Sequence, residues 1–98
     1  MIVGGDYRKP NDPGATAAIT SDGGKTWTLA ERPIPYRSCV AWAQDRWVAV
    51  GTSGLDFSQD DGATWKPLDK ENYNSVAFTS TGEGWAVGPG GRVAKFAK

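Results

Sequence analysis

The sequence predicts an all-β protein assembled from a repeated unit, and three observations carry that reading. Thr20-Ser21-Asp22-Gly23-Gly24-Lys25-Thr26-Trp27 and Ser58-Gln59-Asp60-Asp61-Gly62-Ala63-Thr64-Trp65 share the pattern S/T-x-D-x-G-x-T-W, thirty-eight residues apart. A turn motif recurring at such a period marks a modular β architecture. The composition agrees: 13 Gly and 11% aromatic residues, five of them Trp, favour short strands and tight turns. Finally, the apolar runs are short and none recurs at helical spacing.

Residues 36–72 give the cleanest unit. Residues 36–43 form a β-rich run, Gln44-Asp45 a turn, and residues 46–51 alternate, with Trp47 and Ala49 against Val48 and Val50. Thr52-Ser53-Gly54 turns again, and residues 55–58 supply a third strand. The Asp-Asp-Gly segment then leads into residues 64–68, where Pro67 marks an edge strand because it has no N–H for a ladder. Four short antiparallel strands in roughly 38 residues is the blade pattern of a β-propeller.

On this template residues 1–35 hold the second, third and fourth strands of one blade, over residues 2–4, 17–20 and 26–29. Residues 73–98 hold the first three of another, over residues 74–79, 85–88 and 92–96. Trp47 and Trp85 repeat the thirty-eight-residue spacing. The sequence thus predicts about two and a half blades, with packing carried by Val40, Trp42, Val48, Val50, Val76, Phe78 and Val87. An open row leaves blade faces and sheet edges in water. It therefore predicts closure by the remainder of a longer propeller or by a homo-oligomer.

Composition excludes several chemistries. No His is present, which removes the usual proton shuttle near neutral pH and any Ser-His-Asp or Cys-His site within the chain. Cys39, in the apolar run Ser38-Cys39-Val40-Ala41-Trp42, reads as an inert thiol, and a lone Cys leaves the redox compartment open. Eleven basic and eleven acidic residues are scattered, so no charge pattern favours nucleic acid. No apolar run reaches the ~20 residues of a membrane span, and no signal-peptide pattern opens the sequence; the compartment stays open, export included.

Local motifs add no site. Gly24-Lys25-Thr26 ends like a phosphate-binding loop, but Ile19 stands where that loop needs Gly. From Asp56 the spacing hints at a calcium loop, yet Gly62 comes one place late and Pro67 occupies the twelfth position. No pair of carboxylates has a sequence relationship that suggests acid and base roles. The sequence predicts no catalytic residue, no cofactor and no metal.

The two motifs resemble the Asp-box, or BNR, repeat of sialidase-like β-propellers. Trp85-Ala86-Val87-Gly88 after Gly84 is similar to a strand of photosystem II assembly factor-like propellers. The resemblance implies that Thr20, Asp22, Gly24, Thr26 and Trp27, with Ser58, Asp60, Gly62, Thr64 and Trp65, form structural hairpins away from any substrate. Their chemistry agrees: the Asp residues can accept from N–H groups of their own turn, the Gly residues can take positive φ, and the Trp residues can lie under the hairpin. The sialidase F/Y-R-I-P motif is not matched, since Arg32-Pro33-Ile34-Pro35-Tyr36-Arg37 has related letters in another order.

The repeat is broken between its second and third strands, where the first unit expands to residues 5–14 while the others use Thr52-Ser53-Gly54 and Pro89-Gly90-Gly91. In propellers this connection shares a face with the blade linkers, opposite the Asp-box turns. The resemblance therefore predicts a binding rim of Tyr7, Arg8, Lys9, Asn11 and Asp12 with Arg32, Lys70, Glu71, Asn72 and Tyr73. The expected function is a non-catalytic binding or assembly scaffold with a protein or carbohydrate ligand. The alternatives are a piece of a sialidase-like glycoside hydrolase whose catalytic residues lie elsewhere, and a lectin-like self-assembling repeat protein.

Overall fold

A computed structural model describes residues 1–4, 8, 17–29 and 36–96. Ten strands are present there: β1 (Ile2–Val3), β2 (Ala17–Ile19), β3 (Thr28–Leu29), β4 (Cys39–Trp42), β5 (Trp47–Gly51), β6 (Gly54–Ser58), β7 (Lys66–Asp69), β8 (Ser75–Phe78), β9 (Gly84–Gly88) and β10 (Arg92–Phe96). They form three antiparallel sheets: β1-β2-β3, β4-β5-β6-β7 and β8-β9-β10, here sheets 1, 2 and 3. The fold is all-β, and no described helix is long and apolar enough to cross a membrane.

The sheets stand face to face in a row, as in an open, propeller-like fragment. Val48, Val50 and Leu55 of sheet 2 pack with Val76 and Ala86 of sheet 3, with Phe78, Ala94 and Phe96 against them. A smaller core of Ala17 and Ala49, flanked by Val3, Val40 and Trp65, joins sheets 1 and 2. Each sheet thus has a forward face, toward the next sheet, and a backward face. The two-residue alternation of strands fixes which side chains lie on each.

Register makes the repeat explicit. Val50 pairs with Leu55 as Val3 pairs with Ala17 and Val87 with Val93. Ala17, Leu55 and Val93 are spaced by thirty-eight residues. The Gly4 carbonyl accepts the Arg37 amide at 3.1 Å and the Gly51 carbonyl accepts the Tyr73 amide at 3.0 Å, so each sheet is stapled to the start of the next. Gly51 and Gly88 are needed for this approach: a Cβ there would stand 2.5 Å from the Tyr36 carbonyl and 2.2 Å from that of Asn72.

Three expectations change. Trp47 and Trp85 are not equivalent: Trp47 pairs with Trp42, whereas Trp85 sits one step further along its strand, opposite Ala77. One residue of slip moves a side chain to the other face of a sheet, so Trp47 lies on a backward face and Trp85 on a forward one. Trp42 and Val87, expected in the packing, are exposed, as are Trp27 and Trp85. The fourth strands also begin late, at Thr28 and Lys66, because Thr26 and Thr64 are held by the preceding turn. Pro67 lies on edge strand β7, beside a bulge that takes Leu68 out of register.

Candidate functional site

The two repeated turns share one hydrogen-bond scheme. Asp22 Oδ1 accepts from the Thr26 amide at 2.9 Å and Oδ2 from the Thr26 hydroxyl at 2.6 Å. Thr20 donates its hydroxyl to Asp22 Oδ1 at 2.7 Å, and its oxygen accepts from the Asp22 and Gly24 amides. The second turn repeats this with Ser58, Asp60, Gly62 and Thr64: the Thr64 amide reaches Asp60 Oδ1 at 2.8 Å and the Thr64 hydroxyl Asp60 Oδ2. Gly24 and Gly62 take φ of 96° and 87°, where side chains are strained. Trp27 and Trp65 close the turns, each Nε1 donating to the carbonyl of Gly24 or Gly62 at 3.1 Å.

These bonds favour the charged carboxylates. The Thr26 hydroxyl, then its amide and the Thr20 hydroxyl, hold Asp22 far below the carboxylate range. The Thr64 hydroxyl, followed by its amide and Ser58, lowers Asp60 from 3.8 to about 2. A depressed folded-state value gives stability that is whole above the unfolded value and is lost as pH falls through the folded one. Asp60→Asn is accordingly expected to lower the thermal midpoint at pH 7, with the gap from the parent protein closing between about pH 4 and pH 2. Melts across that range check it; a gap unchanged at pH 2 would show that the carboxylate charge is not what stabilises the turn.

The opposite end of the sheets carries the described linker between sheets 2 and 3. A Cβ on Gly54 would stand 2.6 Å from the Asp69 carbonyl, and one on Gly88 3.2 Å from the Tyr73 Cα, so residues 69–73 lie against both strand ends. Of the expected rim, Tyr7, Lys9, Asn11, Asp12 and Arg32 lie outside the described residues, and Arg8 and Lys70 are exposed. Glu71 is exposed and pairs with Arg92 at 3.0 Å. Asn72 is half-buried, and its buried Oδ1 accepts no hydrogen bond among the described residues. Tyr73 is a core residue whose hydroxyl donates to Asp69 Oδ2 at 3.0 Å. Burial, and then this bond, push its phenol pKa up. A ring packed in the sheet 2 to sheet 3 core cannot present itself to a ligand.

Sequence reasoning missed the most buried charges in the described structure. Arg37 donates Nε and Nη2 to Asp56 Oδ2, each at 2.7 Å, and Nη1 to the Tyr36 carbonyl at 2.8 Å and to Ser53 Oγ at 3.0 Å. Arg37 stands in the staple position that Tyr73 fills one junction later. The one sequence signal was a carboxylate in the middle of the strand Leu55-Asp56-Phe57, at a place that Ala18 and Ala94 occupy in the other sheets.

A cavity of about 250 Å³ opens between sheets 2 and 3 at the end that carries the repeated turns. Val48, Phe57, Leu68, Phe78 and Phe96 line it, and the Arg46 guanidinium lies 5.4 Å from the centre of the Phe57 ring. Arg46 also bonds Asp45 at 3.1 Å. Among the described residues no three Cys, Asp or Glu side chains are grouped to hold a metal ion. No protein family, curated protein or solved structure matches the chain.

Proposed function

We propose that this chain is a non-catalytic, propeller-type assembly scaffold, in which the repeated Asp turns are structural hairpins of the Asp-box kind and binding is done by sheet surface. The observation that carries this reading is the commitment of its most distinctive polar residues to their own backbone. Asp22 and Asp60 each accept bonds from a Thr amide, a Thr hydroxyl and a Ser or Thr hydroxyl. A carboxylate so bonded is held ionised and cannot serve as a general acid near neutral pH. The one buried carboxylate among the described residues, Asp56, is bound by Arg37. What remains open to a partner is sheet face and loop.

The test is a panel of fluorogenic glycosides, sialosides included, incubated with the chain. No turnover above buffer is expected, from the parent protein or from Asp60→Asn. Hydrolysis that purifies with the chain and falls in carboxylate variants would replace the scaffold by the hydrolase reading.

A further inference from the structure

The two ends of the sheet row expose opposite, apolar faces, and the interior junctions show what covers such faces. On the forward face of sheet 2, Val50 and Leu55 are 0% exposed beneath sheet 3. The register places Val87 and Val93 at the same positions on the forward face of sheet 3, where they are 43% and 65% exposed, beside Trp85 at 43%. The backward faces repeat the contrast. Ala49 is fully buried against sheet 1, whereas Ile2, its counterpart, is 56% exposed, with Leu29 at 60%. Trp65 packs on the core between sheets 1 and 2, and its counterpart Trp27 is exposed.

We infer that the forward face of sheet 3 (Trp85, Val87, Val93) docks on the backward face of sheet 1 (Ile2, Trp27, Leu29) of a second copy of this chain, head to tail, closing a dimer. This rests on the scaffold reading and names its partner. A second copy fits because each interior junction joins a forward face to a backward face, and among the described residues one face of each kind is left uncovered. Joining unlike faces is a heterologous contact, which closes into a ring when the rotation per step allows. The number of sheets selects the ring. Propellers close with about four to eight blades. Two copies bring six of the described sheets together, and three copies would bring nine. In such a dimer both junctions are alike, and each buries a Trp from either side. Large aromatic side chains are the groups that dominate interface energy.

Light scattering and sedimentation of the 98-residue chain over a concentration series test it. A species of twice 10.5 kDa is expected, dissociating on dilution. Val93→Asp and Leu29→Asp, on opposite end faces, should each shift dissociation to about tenfold or more higher concentration. An equimolar mixture of the two variants should form dimer more readily than either alone, because one junction in the mixed pair has both faces intact. Circular dichroism of each variant separates lost pairing from lost folding, and the parent dilution series stands if a variant does not fold. Four results would overturn the inference: a parent protein that is monomeric throughout, trimers or open chains in place of dimers, sensitivity to one of the two faces only, or no gain on mixing. A monomeric parent that leaves the glycoside panel silent would remove the partner while keeping the scaffold.

Discussion

Asp56→Ala is expected to destabilise the protein by about 3–5 kcal/mol, the cost of leaving a buried charge without its partner. Arg37 and Asp56 are 3% and 4% exposed, so the guanidinium cannot turn to water once the carboxylate is gone. Its Nη1 keeps the Tyr36 carbonyl and Ser53, but Nε and Nη2 lose their acceptor. For a domain of this length total stability is about 5–15 kcal/mol, so a loss of that size unfolds a substantial fraction of molecules near physiological temperature. Urea denaturation followed by Trp fluorescence measures it. The apolar double variant Arg37→Met, Asp56→Leu should recover much of the loss, because removing both charges removes the desolvation penalty. A double variant no better than Asp56→Ala would mean that the pair is wanted for the hydrogen bonds by which Arg37 ties Tyr36 and Ser53 to β6, and not for charge balance.

The parts of this structure that were legible in the sequence are those made by neighbouring residues. Thr20 to Trp27 and Ser58 to Trp65 close on themselves over eight residues, so the S/T, Asp, Gly and Thr identities suffice to write their hydrogen bonds. The strands of sheet 2 follow from alternation and turn residues in the same way. What could not be read depends on distant groups or on a single step of register. Asp56 finds Arg37 nineteen residues away across the end of the sheet, and nothing near either residue announces the other. Trp47 and Trp85 look equivalent by spacing, yet a one-residue difference between the turns that precede β5 and β9 sends them to opposite faces. Tyr73 sits in a polar linker, Lys70-Glu71-Asn72-Tyr73, which reads as solvent-facing. Its amide instead bonds Gly51, and its ring joins the core because that linker is pressed against strand ends that Gly54 and Gly88 keep bare.

The staple also explains why functional surface was hard to place. A rim of loop residues is what alternating strands and an irregular connection suggest, but among the described rim residues the structure uses Tyr73 for packing and Glu71 to hold Arg92. The surface left over is made of strand residues that look like core: Ile2, Leu29, Val87 and Val93 are apolar and alternate correctly, yet they are exposed and no described sheet lies on them. Hydrophobic pattern reports which side of a strand is apolar, and not whether anything lies on it.

Leu55→Ala and Val93→Ala make that distinction measurable, because the two residues hold the same register position in adjacent sheets. Leu55 is fully buried between sheets 2 and 3, and truncating it removes its transfer energy and leaves a cavity, an expected loss of about 2–5 kcal/mol. Val93 is 65% exposed on the isolated chain, and there its truncation should change stability by no more than about 0.5 kcal/mol. Paired unfolding curves at low protein concentration should therefore separate the variants by several-fold in free-energy cost. Raising the concentration should leave the Leu55→Ala penalty in place and make Val93→Ala progressively more costly, since burial by a second copy stabilises the parent by mass action and the variant less. A Val93→Ala penalty as large as that of Leu55→Ala in the dilute chain would mean that the forward face of sheet 3 is already covered within one molecule.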